Sequence, residues 1–336
     1  MNRTALLALV AVALGGAAWW FAAGRTDMKT TLAGADRNFA VKDTNSIARI
    51  FLVDRNNNKT DLRREGDHWT YNGQYRAAKG PMKNILDAIA RLEIQYKPAN
   101  AAVSNMVQNI ATEGIKVELY DKEGKLIKAY YVGGATPDER GTYIMLDGFN
   151  QPYVGGIRNW TGNVRFRYNL LGDDWRDRHI FEEEVEEIQS VTVEYPQQRN
   201  KSFRLRRQGA GFEVTPYYSI TPRINKPVAQ GRIEQYLVGF DNIQAGRYIN
   251  RQPERDSIQR MTPFSIITVK RANGDSTSIV LHPMYVDPAV DTKTGKIVYA
   301  EYVPGYYVTS LPKGDFLSIQ HDVISKLFWD YSYFFD

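Results

Sequence analysis

The chain has 336 residues, 43% hydrophobic and 24% charged, with a formal net charge of +5. That length and composition suit two or three folded domains and exclude a disordered chain. Cysteine is absent, which excludes disulfides, thiolate metal sites, a cysteine nucleophile and lipid attachment through an N-terminal cysteine. The basic excess is mild and spread along the chain, which argues against a nucleic-acid partner.

The first element is MNRTALLALVAVALGGAAWWFAAG (1–24), uncharged from Ala5 to Gly24. Such a run is long enough to cross a hydrocarbon core as a helix. Trp19, Trp20 and Phe21 stand near its far end, where aromatic rings favour the membrane–water boundary. The pattern predicts an N-terminal transmembrane helix, a signal-anchor touching the lipid bilayer through residues 5–24. The N-terminus would then be cytoplasmic and the body outside, although Arg25 and Lys29 weaken the charge bias that sets orientation. A cleaved secretory signal is the rival reading, with Ala22-Ala23-Gly24 as its small-residue site. Both readings export the body, and residues 25–37 follow as a linker.

Beyond the linker the chain repeats itself, which divides it into a first unit, 38–181, and a second, 182–336. SIARIFLVD (46–54) reads as a strand and is matched by EIQSVTVEY (187–195). RREGDHWTY (63–71) returns 143 positions later as RRQGAGFEV (206–214), each with two arginines, a glycine and then an aromatic. Helical spacing follows in KGPMKNILDAIARLEIQY (79–96), with Met82, Ile85, Leu86, Ile89 and Leu92 on one stripe. Its counterpart NKPVAQGRIEQYLVGFDNIQ (225–244) carries Ala229, Ile233, Tyr236, Leu237 and Phe240. Short helical stretches are expected after Pro98 and Pro253. Strand pairs come next, GIKVELYDKEGKLIKAYYV (114–132) and FSIITVKRANGDSTSIVL (264–281), the latter turning at Asn273-Gly274. TYIMLDGFNQPYVGGI (142–157) faces IVYAEYVPGYYVTSL (297–311), and the units close on WRDRHIF (175–181) and WDYSYFF (329–335). The expected fold is therefore α+β: after the transmembrane helix come two repeated units, each an antiparallel sheet covered by one main amphipathic helix.

Candidate chemistry is sparse. His68 beside Asp67 suits acid–base work, but Ala210 and Gly211 stand at the matched positions, and a polar hairpin tip accounts for the pair equally well. His179 lies three residues before Glu182, a conceivable metal pair that WDYSYFF does not repeat. His282 and His321 are isolated. EEEVEE (182–187) reads as a solvated approach to a strand, and Asp287 and Asp291 as part of a hairpin excursion. GGATPDERG (133–141) lacks the Lys-Ser/Thr ending of a phosphate loop. No nucleophile elbow, zinc-protease or dinucleotide fingerprint is present. Catalytic, cofactor-binding and metal residues are accordingly assigned to none, and no cofactor is expected.

The order of anchor, arginine-bearing hairpin with Trp or Phe, helix, strand pair, Gly-Thr-Tyr-Ile-Met-Leu strand (141–146) and tryptophan-led closing motif resembles the domain of unknown function 4340 family. These are anchored extracytoplasmic bacterial proteins, often encoded beside gliding-type ABC transport components. The resemblance implies a body in the periplasm at the bacterial inner membrane and a protein partner in the envelope, with ABC-type transport subunits as the partner class. It supplies no catalytic residue. The longer loop PMYVDPAVDTKTGK (283–296) departs from the pattern. The expected function is a non-enzymatic accessory or scaffold protein of an envelope complex. The alternative is a glycan- or peptidoglycan-binding module using tyrosines such as those of PGYYVTS (304–310).

Overall fold

The computed structural model describes residues 35–285, 289–290, 297–298 and 302–335. The chain separates into two compact units between Leu171 and Gly172, so WRDRHIF, expected to close the first unit, belongs to the second.

In the first unit, β1 (Arg49–Val53) turns Ile50 and Leu52 inward. It lies between β2 (Lys59–Glu65) and the later β6 (Ile115–Tyr120), antiparallel to both. The hairpin continues through β3 (His68–Tyr71) to the two-residue β4 (Tyr75–Arg76). Helix α1 (Lys79–Arg91) buries Met82, Ile85, Ala88 and Ile89. Its backbone turns extended at Leu92, and β5 (Leu92–Tyr96) follows at once. Helix α2 (Asn100–Glu113) seats Met106 and Ile110 and stops at Gly114, whose amide donates to the Ile110 carbonyl. Three more strands complete the sheet: β7 (Leu126–Ala135), β8 (Thr142–Leu146) and β9 (Tyr153–Ile157). The nine strands run β4-β3-β2-β1-β6-β7-β8-β9-β5.

The second unit contains β10 (His179–Phe181), β11 (Ile188–Glu194), β12 (Phe203–Gln208), β13 (Gly211–Pro216), β14 (Ile243–Gln244) and β15 (Arg247–Tyr248). Then come β16 (Ser265–Arg271), β17 (Ser276–Met284), β18 (Ala289–Val290), β19 (Ile297–Val298), β20 (Gly305–Leu311) and β21 (Asp315–Gln320). Its helices are short: α3 (Arg232–Val238), α4 (Arg255–Gln259) and α5 (His321–Ile324). The main sheet runs β13-β12-β11-β16-β17-β20-β21-β15. Strand for strand this is the order β3-β2-β1-β6-β7-β8-β9-β5 of the first unit.

Several expectations need correction. The described chain is predominantly antiparallel sheet with few, short helices, and not a helix-covered α+β repeat. Residues 92–96 do not extend α1; they pair with β9, satisfying backbone groups that a sheet edge otherwise leaves open. Only Arg232–Val238 of the second expected helix is helical. It is bounded by Gly231, at φ +76, and by Gly239. Aromatic rings fill the space instead, with Phe334 at 4.9 Å from Phe203 and 5.5 Å from Tyr236. The transmembrane helix expected over 5–24, with its signal-anchor role and bilayer contact, is likewise not carried by the structure. Among the described residues no helix is long and apolar enough to cross a membrane, and 5–24 lie outside them.

Candidate functional site

The site is built on the hairpin RREGDHWTY. Leu62 points into the core, and Glu65 pairs with His68 across a loop of Gly66 and Asp67. Gly66 adopts φ +62 there, which an L side chain rarely tolerates. The second unit repeats the device, with Gln208 paired to Gly211 and Gly209 at φ +58.

The two arginines of each hairpin have different tasks. Arg63 is exposed and pairs with Asp61 at 2.9 Å. Arg64 lies over the Trp69 ring at 4.8 Å and donates to the carbonyls of Ile47 and Thr44. It thereby ties the turn before β1 to the hairpin. Arg207 repeats this over Phe212 at 4.5 Å, donating to Ile188 and Val185. Trp69, pinned by Arg64, forms one wall of a cleft.

That cleft, about 580 Å³, lies between the hairpin, β4 and α1. Its floor is apolar: Trp69, Ala77, Met82, Leu86 and Ala90. Its rim carries Asp67, His68, Arg76, Lys79, Lys83 and Asp87. Leu86, expected on the core stripe of α1, is only half-buried and faces this space. His68 Nδ1 lies 3.1 Å from Asp67 Oδ1. The hydrogen bond with His68 is the main reason the Asp67 carboxyl sits below the usual carboxylate range, with Arg76 adding a smaller pull. Burial pushes Asp87 up, but hydrogen bonds from Arg167 at 2.6 Å and Arg91 at 3.0 Å outweigh it and hold the carboxyl low. The negative charge of Asp87 is therefore matched within the protein, and the rim also carries Asp67, Arg76, Lys79 and Lys83.

Acid–base chemistry needs a positioned partner for the His68–Asp67 pair, and here the pair sits at an exposed hairpin tip. An apolar floor inside a charged rim is an arrangement for holding a ligand. Sequence reasoning missed Arg76, Lys79, Lys83 and Leu86 as site residues. The available signal was the spacing of Lys79 and Lys83, one helical turn apart and flanking the Met82–Leu86 stripe.

The other candidates fall elsewhere. His179 Nδ1 lies 2.6 Å from Asp177, and among the described residues no group of three or more metal-ligating side chains is assembled. His282 is buried beneath the Met261 carbonyl, to which its Nε2–H donates at 3.1 Å, and burial pushes its pKa down. His321 is exposed, its ring stacked on Tyr306. EEEVEE is not wholly solvated: Glu183 is 3% exposed and takes a two-pronged hydrogen bond from Arg271. Asp287 and Asp291 lie outside the described residues. Within GGATPDERG, the Thr136 amide donates to the Gly141 carbonyl, closing a tight turn. Tyr306 belongs to the core, and Tyr307 is half-buried with one ring face stacked on Phe316.

Comparison with family models, curated proteins and solved structures gives no match.

Proposed function

We propose that this chain is an exported, non-enzymatic accessory protein that docks on a larger envelope assembly, with ABC-type transport subunits as the partner class. The observation that carries the docking role is the cleft of the first unit, whose apolar floor and charged rim suit a partner's side chains. The partner class rests on the family resemblance alone. Two units with equivalent strand order also suit a partner that offers more than one contact, where linked sites gain avidity.

The test is affinity capture from envelope extracts with the full chain and with Leu86→Arg, which sets a charge on the cleft floor. Recovery of transport subunits by the wild-type chain, and their loss with the variant, is the expected result. Equal recovery by both would move docking away from the cleft. Absence of transport subunits from both would remove the partner class.

A further inference from the structure

We infer that the second unit holds a site for a sugar ring that bears a carboxylate. The site is a cavity of about 270 Å³ on the outer face of the main sheet, where β15, β20 and β21 meet. It is independent of the cleft in the first unit and of the docking role proposed for that cleft.

Strand register builds the cavity. Arg247 pairs with Ser318 and Ser318 with Tyr307, so these three stand in one row, on the face opposite the buried Tyr306, Val308, Leu317 and Ile319. Gln320 stands opposite Gly305 in the next row of the same face. Glycine is required there: a β-carbon at Gly305 would lie 2.4 Å from the Ile319 carbonyl oxygen, and its absence leaves the floor open. Gly246 is held at both ends. Its amide donates to the Ser318 carbonyl at 2.7 Å, and its carbonyl accepts from Arg178. Tyr307 has one ring face stacked on Phe316 with the planes 4° apart, which fixes the ring, and its remaining surface lines the cavity. Pro304 and Gly305 of the same PGYYVTS stretch line it too.

The lining selects the ligand. Among the described residues, the side chains of Arg247, Ser318, Tyr307 and Gln320 have no hydrogen-bond or ion-pair partner, and no carboxylate lines the cavity. A hydroxyl, a phenol and an amide each both donate and accept. That matches sugar hydroxyls, which do the same, whereas a phosphate asks for donors alone. Arg247 adds one cation whose planar fork fits a carboxylate. Ile249, Met284 and the Tyr307 ring supply apolar surface for the C–H face of a sugar. The volume lies near the ~300 Å³ lower end of ligand sites, the scale of one ring and not of a folded partner.

The probes are the methyl glycosides of glucuronate and galacturonate, each beside its neutral parent sugar, titrated into the full chain and followed by amide chemical shifts. At least one uronide should move amides within 246–252, 305–307 and 318–320. It should bind roughly fivefold tighter than its parent, the worth of one exposed ion pair. Arg247→Met should erase that preference, and Gln320→Ala should weaken uronide and parent alike. Both side chains are exposed, so the melting temperature should hold. No shift from either uronide, or shifts confined to other segments, would overturn the inference. So would equal affinity for uronide and parent, or a preference that Arg247→Met leaves intact. Acetate or inorganic phosphate binding as tightly as the uronide would make this a bare anion site and equally overturn it. None of these results bears on capture of transport subunits through the cleft, so the two proposals fail separately.

Discussion

Arg64 lies 4.8 Å over the ring of Trp69, its cross-strand neighbour, while its Nε and Nη2 donate to the carbonyls of Ile47 and Thr44. Arg207 and Phe212 repeat the arrangement at 4.5 Å, with Ile188 and Val185 as acceptors. One guanidinium thus joins three pieces of chain in each unit: both hairpin strands and the turn before the first strand. A planar fork over a ring does this, and an ammonium does not.

Arg64→Lys and Arg207→Lys should each destabilise the unit that holds them by about 1–2 kcal/mol, from lost charge-assisted hydrogen bonds and ring contact. Their exposed neighbours Arg63 and Arg206 should cost at most about 0.5 kcal/mol as alanine. Urea denaturation followed by hydrogen exchange at β1 and β11 reads the two units separately. Equal losses at both arginines of a pair would refute the division of labour.

Leu86 and Leu237 occupy matched places in the sequence but not in the structure. Leu237 is 1% exposed, so Leu237→Asp should cost several kcal/mol by leaving an unpaired charge in the core. Leu86 is half-buried at the cleft, and Leu86→Asp should cost about 1 kcal/mol or less. Thermal melts of the two variants side by side make the comparison.

Glu183 is 3% exposed and depends on Arg271 for its charge balance. Arg271→Met should destabilise the second unit by about 3–5 kcal/mol, because a buried carboxylate loses its counter-ion. Adding Glu183→Leu should restore most of that loss, since an apolar pair needs no counter-charge. A double variant no more stable than Arg271→Met alone would mean that the pair does not act as a unit.

Acid should weaken the first unit through Asp61. Burial pushes this carboxyl up, but hydrogen bonds from Arg49 and Arg63 outweigh it and set the folded value below the ordinary 3.8. A depressed folded pKa stabilises fully above the unfolded value and is lost as pH falls through the folded one. Stability at β1 and β2 should therefore decline below about pH 4. Asp61→Asn should flatten that decline while lowering stability at neutral pH. An unchanged acid limb would exclude Asp61 as its source.

The hairpins were legible in the sequence because their signals are local. Gly66 and Gly209 mark the turns, and Leu62 and Leu205 mark the inward register. Alternation along β1, β6 and β16 was equally readable, since a strand with one buried face imposes a period of two. The span expected over 5–24 falls outside the described residues and contributes nothing to this comparison.

Tertiary structure decided what local pattern leaves open. Residues 92–96 have enough helical spacing to continue α1, yet the open edge of β9 offers hydrogen bonds to an extended chain there. The stretch 225–244 has a longer apolar stripe than its helix uses, because Phe334 and Trp329 arrive from the far end of the sequence to cover Tyr236. The cleft is the clearest case. Trp69, Arg76, Lys83 and Leu86 belong to three elements, and only the fold of the sheet against α1 gathers them. By itself the sequence determined where the chain turns and which side of each strand faces inward, through backbone freedom and hydrophobic period. Which apolar positions become core and which become a binding floor depended on distant partners competing for the same surface.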